Sequence, residues 1–147
     1  MKPFDKKTLE LEDIWTSNEV GYKDSKLVTF YRKNKGASEI LEHPDLKELV
    51  YLTVTYEPVT EKGFPSDSDY DLISRFEDVD IPKIELESNS LHVASVLKNG
   101  IYDFLLYVTD PESFLESYKA NKLNLSSFQI ELELASDPKW DVYSDFP

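Results

Sequence analysis

Cysteine is missing altogether from this chain of 147 residues. That excludes a disulfide framework, a thiolate metal centre and a cysteine nucleophile, and it fits a reducing compartment, so a cytoplasmic location is expected. Positive charge is scarce as well, with 16 Lys and Arg against 29 Asp and Glu for a formal net charge of −13. Such a chain repels phosphate backbones and acidic lipid, so the expected partner is a protein with a basic surface rather than nucleic acid or membrane. The nearest approach to a basic patch, Arg32, Lys33 and Lys35, is soon followed by Glu39 and Glu42. Long apolar runs are absent too, and none approaches the roughly 20 residues of a membrane-spanning helix. Lys2, Lys6 and Lys7 are interrupted by Pro3, Asp5 and Glu10, which leaves no apolar centre for a signal peptide. Two histidines are too few for a His-rich metal centre, and no cofactor or metal is expected.

What the chain does have is a strong β pattern centred on Lys98 to Pro111. Asn99 and Gly100 suit a tight turn between two arms, Leu91 to Lys98 and Ile101 to Thr109. Tyr102, Phe104, Leu106 and Val108 alternate onto one face, and Asp110 with Pro111 supplies a helix cap and first helical residue. Val50, Leu52, Val54 and Tyr56 mark another strand, and Phe128, Ile130, Leu132 and Leu134 a last one whose other face carries Glu131 and Glu133. Those two carboxylates are expected to guard a sheet edge against unwanted pairing. Ser66 caps a helix with Leu72, Ile73, Phe76 and Val79 on its apolar side, which Pro82 ends or kinks before Ile84 and Leu86 lead into the hairpin. A second helix from Pro111 presents Phe114, Leu115 and Tyr118.

From residue 49 the order is strand, helix, strand, strand, helix, strand. It predicts an α+β fold, a ferredoxin-like split βαβ sandwich with an antiparallel sheet and two helices on one face. An added N-terminal hairpin spans 11–34, with Trp15 and Phe30. The chain reads as one domain, 1–147, with 1–10 loosely ordered, the core in 49–136 and a docked tail in 137–147 anchored by Trp140 and Tyr143.

Chemistry is less legible. Asp67, Asp69 and Asp71 imitate the start of a calcium loop, but Leu72 stands where a glycine is needed, so helix capping explains them. Glu77, Asp78 and Asp80, like Glu85 and Glu87, read as solvated carboxylates. His92 shares its strand face with Ala94 and Val96 and has no nucleophile motif beside it. An RNA-recognition reading fails because Gly100 is followed by Ile101, Tyr102 and Asp103. Tyr51, His92, Leu105 and Tyr107 are expected on the sheet face away from the helices, where they offer contacts to a partner unless the hairpin covers them.

Trp15, the GFPSDSDYDLISRFED segment from Gly63 to Asp78, the GIYDFLLYV strand and the closing DPKWDVYSDF together resemble the bacterial domain-of-unknown-function 695 family. The matching motifs are Gly63 and Pro65, Glu77 and Asp78, and Asp137, Pro138, Trp140 and Tyr143. The resemblance implies a ferredoxin-like α+β domain, more distantly similar to a protein inhibitor of ribonuclease E, and carries over no catalytic residue. The expected function is that of a non-enzymatic interaction module of adaptor, inhibitor or toxin-neutralising type. The alternative is an enzyme or small-ligand-binding protein with its site between the N-terminal hairpin and the sheet. A pocket of convergent polar groups holding His92 or Glu77 would favour that alternative.

Overall fold

The fold is given by a computed structural model that describes residues 2–12 and 14–147. It is an α+β domain built on one six-stranded antiparallel sheet. The strands are β1 (Trp15–Gly21), β2 (Val28–Asn34), β3 (Glu48–Thr55), β4 (Ser90–Lys98), β5 (Ile101–Val108) and β6 (Gln129–Ser136). Their spatial order is β1-β2-β4-β5-β3-β6, so the Val50 and Tyr102 strands are central neighbours and β1 and β6 are the free edges. The N-terminal hairpin adds to the sheet beside β4 rather than lying over a face.

Four α-helices accompany the sheet among the described residues: α1 (Asp67–Arg75), α2 (Ile81–Ser88), α3 (Pro111–Ala120) and the short α4 (Asp141–Asp145). Ser66 starts α1 by accepting from the Asp69 amide at 3.2 Å, and Asp110 starts α3 by accepting from the Glu112 amide at 3.2 Å. Between α1 and α2 the chain makes a π turn, Phe76–Asp80, in which the Ile81 amide bonds the Phe76 carbonyl. Pro82 therefore lies in the first turn of α2, where its missing N–H is tolerated, and does not end the helical run. Ile84 and Leu86, expected to lead into the hairpin, belong to α2. The wide turn also rotates the helix face: Val79, expected in the core, is 61% exposed, while Phe76 and Glu77 are buried.

Alternation along the strands divides the apolar residues between two cores. Under the helices, Val50, Leu52, Val54, Phe104 and Leu106 meet Ile73, Phe76, Ile84, Phe114 and Tyr118. The other face buries Leu49, Leu91, Leu105 and Tyr107 beneath Phe4, Ala37, Leu46, Trp140 and Tyr143. Phe4 belongs to a segment that the sequence treats as loosely ordered. Here its amide donates to Asp45 at 2.9 Å, and Asn89 bridges the Phe4 carbonyl and the Lys6 amide at 2.8 Å each.

The tail closes this second core. Trp140 is wholly buried and its ring lies parallel to Tyr107 with centroids 4.1 Å apart, while its indole N–H donates to the Leu46 carbonyl at 2.9 Å. Asp137 accepts from the Tyr107 hydroxyl at 2.7 Å and from the amides of Asp141 and Val142 at 3.0 Å each, so one carboxylate ties the sheet to the start of α4. The Tyr143 hydroxyl donates to the Asn34 carbonyl at 2.7 Å. Trp140→Ala removes the largest buried side chain of this face and should lower unfolding free energy by about 3 kcal/mol, read from urea denaturation. An unchanged midpoint would mean that the tail contributes nothing to the fold.

Candidate functional site

The π turn and an irregularity in β4 together build a buried polar cluster. The register of β4 against β5 slips between His92 and Ala94, so His92 faces Leu106, Ala94 faces Leu105 and Ser95 faces Phe104. Such a bulge lets two successive residues point the same way and then reverses the alternation. Val93 and Ala94 both join the core beyond the helices, and Ser95 turns onto the His92 side. His92 is thus on the face under the helices, not with Tyr51, Leu105 and Tyr107. Simple alternation groups His92 with Ala94 and Val96 and misses its partner Ser95.

Glu77 is the centre of the cluster and is 7% exposed, contrary to its expected place on a solvated surface. Its Oε1 accepts from the Arg32 guanidinium and from the Tyr102 hydroxyl at 3.0 Å, and its Oε2 accepts from Ser95 Oγ at 2.5 Å. A buried carboxylate is tolerated when it is paired and both its oxygens are hydrogen-bonded, which these three donors achieve. Burial and the neighbouring Glu77 both push the Tyr102 phenol well above its ordinary range, so it stays a donor.

His92 lies one bond further along. Ser95 gives its proton to Glu77 and the Ala94 carbonyl only accepts, so His92 Nε2 carries a hydrogen shared between Ala94 O at 3.0 Å and Ser95 Oγ at 2.9 Å. The Ser95 hydroxyl is therefore not activated by the imidazole, and the trio lacks the direction of proton flow of a serine nucleophile. The Trp15 ring lies 4.9 Å from the His92 ring, with the Arg32 guanidinium 5.0 Å from the Trp15 centroid. The His92 amide donates to Glu85 at 3.0 Å.

Over this cluster opens a cavity of about 400 Å³ between the N-terminal hairpin, the start of the chain and the α1–α2 junction. Lys6, Leu9, Leu11, Glu12 and Trp15 form its N-terminal wall, and Arg32, Glu77, Asp78, Glu85 and His92 its floor. Gly36 lets this wall close: a Cβ there would come within 2.0 Å of the Glu12 carbonyl oxygen. Asn34 also lines the cavity, and its Oδ1 is the one buried side-chain polar atom without a hydrogen bond among the described residues. Those residues contain no group of three or more His, Cys, Asp or Glu arranged to hold a metal ion.

The other residues singled out from the sequence fall elsewhere. Leu105 is 3% and Tyr107 0% exposed, both beneath the docked tail, and Tyr51 is half-buried beside them. The expected contact patch of Tyr51, His92, Leu105 and Tyr107 is therefore not an open surface, because Trp140, Tyr143 and the 35–46 segment occupy that face while His92 lies on the other. Trp140 and Tyr143 are buried in the same core.

A model of a family of unknown function, DUF695, matches residues 23–146. Comparison with curated proteins and with solved structures returned no match. The matched segment contains the cavity floor and the tail up to Phe146, whereas the wall residues Lys6, Leu9, Leu11, Glu12 and Trp15 precede it.

Burial, with the Arg32 charge adding to it and the bond to Ala94 opposing it, pushes the His92 pKa down from 6.5 to about 3. The unfolded imidazole gains a proton as the pH falls through 6.5 while the folded one remains neutral to about 3, so its contribution to stability is present above that window and lost within it. NMR titration of the His92 ring should show no protonation between pH 8 and pH 5. A midpoint near the ordinary 6.5 would contradict the buried arrangement.

Proposed function

This chain belongs to the family of unknown function DUF695, and from that premise we propose that it is a non-enzymatic recognition domain whose cavity beside Trp15 receives a cationic group. The observation that carries the reading is the charge of the cavity lining. Lys6 and Arg32 face Glu12, Glu77 and Asp78, and Arg32 is already paired with Glu77. The remaining excess is negative, next to an aromatic ring and in a recess of ligand size. The cavity lies between the hairpin edge of the sheet, the start of the chain and the α1–α2 junction, and it contains both His92 and Glu77, the features that favour ligand binding over a flat interaction surface.

Binding rather than catalysis is supported by the bonding inside the cluster. Glu77 spends both oxygens on Arg32, Tyr102 and Ser95, and burial makes the His92 imidazole a poor base by lowering its pKa to about 3, so neither is poised to accept a proton from a ligand. The cationic group is a small amine or guanidine, or the Lys or Arg side chain of a basic protein, the partner class that the charge of −13 favours. An adaptor, inhibitor or toxin-neutralising role accords with the second source. As to architecture, the order β4-β5-β3-β6 and the shared core of α1, α2 and α3 support a ferredoxin-like split βαβ unit, extended at one edge by the β1–β2 hairpin.

Titration with agmatine, and separately with an unstructured arginine-containing peptide, should move the Trp15 indole resonance and leave that of Trp140 in place. Binding of the peptide alone would identify the protein source, and binding of agmatine with equal affinity the small-molecule one. Reversing two exposed charges of the lining, Glu12→Lys with Asp78→Lys, should weaken binding by about tenfold or more. No shift with either probe, or no response to the charge reversal, would refute the cationic site.

A further inference from the structure

The opposite edge of the sheet carries an independent feature. Strand β6 pairs with β3 on one side, and no strand lies on its other side among the described residues. The Asp137 amide donates to the Lys47 carbonyl at 2.7 Å, and the β3–β6 register runs without a slip from Glu48 opposite Ser136 to Thr55 opposite Gln129. Antiparallel pairs alternate, so Glu131, Glu133 and Ala135 direct their backbone groups toward β3 and Ile130, Leu132 and Leu134 direct theirs outward. The outward set is a ready-made template for another strand. Its side chains are also incompletely covered, with Leu132 38% and Leu134 51% exposed on the face that carries the helices, while Glu131 and Glu133 are exposed on the other face.

These charges determine which strand fits. A second copy of this chain would pair outward residue with outward residue in antiparallel fashion. With Leu132 opposite Leu132, Glu131 faces Glu133; with Ile130 opposite Leu132, Glu131 faces itself; with Leu132 opposite Leu134, Glu133 faces itself. Each register sets carboxylate directly against carboxylate, which is destabilising. A strand with Lys or Arg in those places and apolar residues over Leu132 and Leu134 reverses the sign of the same contacts.

We propose that β6 is a docking edge that accepts an extended segment of a basic protein, alternating Lys or Arg with apolar residues, as a seventh strand of the sheet. The outward backbone groups of Ile130, Leu132 and Leu134 supply affinity, the Leu132 and Leu134 side chains are buried by the incoming apolar residues, and Glu131 and Glu133 select positive charge. The guarding role of the two glutamates is thereby made selective: they exclude a second copy and acidic strands while admitting a basic one.

The test uses the full chain and two capped peptides of the same length as β6, one alternating Val and Lys and one alternating Val and Glu. The Val-Lys peptide should slow hydrogen exchange of the Leu132 and Leu134 amides by about tenfold, and the Val-Glu peptide should not. Glu131→Lys with Glu133→Lys should exchange these preferences. Leu132→Pro removes an outward N–H without touching the ladder to β3 and should abolish the protection; its circular dichroism reports whether it folds, and the charge-reversed variant tests the proposal regardless. The cavity variant Glu12→Lys with Asp78→Lys should leave β6 binding intact, which separates this edge from the cationic cavity. Binding of the Val-Lys peptide without protection of the β6 amides, unswapped preferences in the reversed variant, or self-association through β6 would each overturn the proposal.

Discussion

A carboxylate buried beneath a helix junction is the constraint around which this domain is arranged. Glu77 can lie there only because Arg32 comes from β2, Ser95 from β4 and Tyr102 from β5, so its three donors tie the N-terminal hairpin to the centre of the sheet. Two local departures from regular structure serve this bonding. The π turn brings Glu77 inward in place of Val79, and the bulge in β4 brings Ser95 onto the side of His92. Removing one member of a buried charge pair leaves the other uncompensated, which is why such clusters are destabilised more by partial loss than by replacement as a unit.

The regular parts of the fold were legible because alternation and capping act locally. Val50, Leu52 and Val54, the Asn99-Gly100 turn, the Ser66 cap and the Asp110-Pro111 start all occupy the roles that their residue types favour. The hairpin expected within 11–34 is present as β1 and β2, and the closing Trp140 and Tyr143 read as aromatics suited to burial. The polar cluster was hidden for the same reason. An ideal helical period of 3.6 residues sends Glu77 outward, and strict period two sends Ser95 away from His92, so each irregularity moved a side chain of the cluster off its ideal face. The one signal available was Pro82, a residue that an uninterrupted helix resists and a widened turn at its first positions accepts.

The two sheet edges have different characters as a result. At the β1–β2 end, Lys6, Leu9, Leu11 and Glu12 wall a recess over the Glu77 cluster, their path held by Gly36, Asn89 and Asp45. At the β6 end no further strand pairs with the edge among the described residues, and the side chains alternate between leucine and glutamate. Both ends present negative charge beside apolar surface, the combination that speeds encounter with cations and leaves specificity to short-range contacts. The face between them, with Tyr107 stacked under Trp140, is interior.

If Glu77 is the tie between hairpin and sheet, weakening it must loosen one side of the molecule before the other. Hydrogen exchange of the Glu77→Gln variant measures this directly, because Arg32 and Lys33 on β2 pair with Ser95 and Ala94 on β4, whereas Leu52 on β3 pairs with Phe104 and Leu132. The account predicts that amides in the β2–β4 ladder lose protection while those shared by β3, β5 and β6 keep theirs. Equal loss across the whole sheet, or none at all, would contradict it.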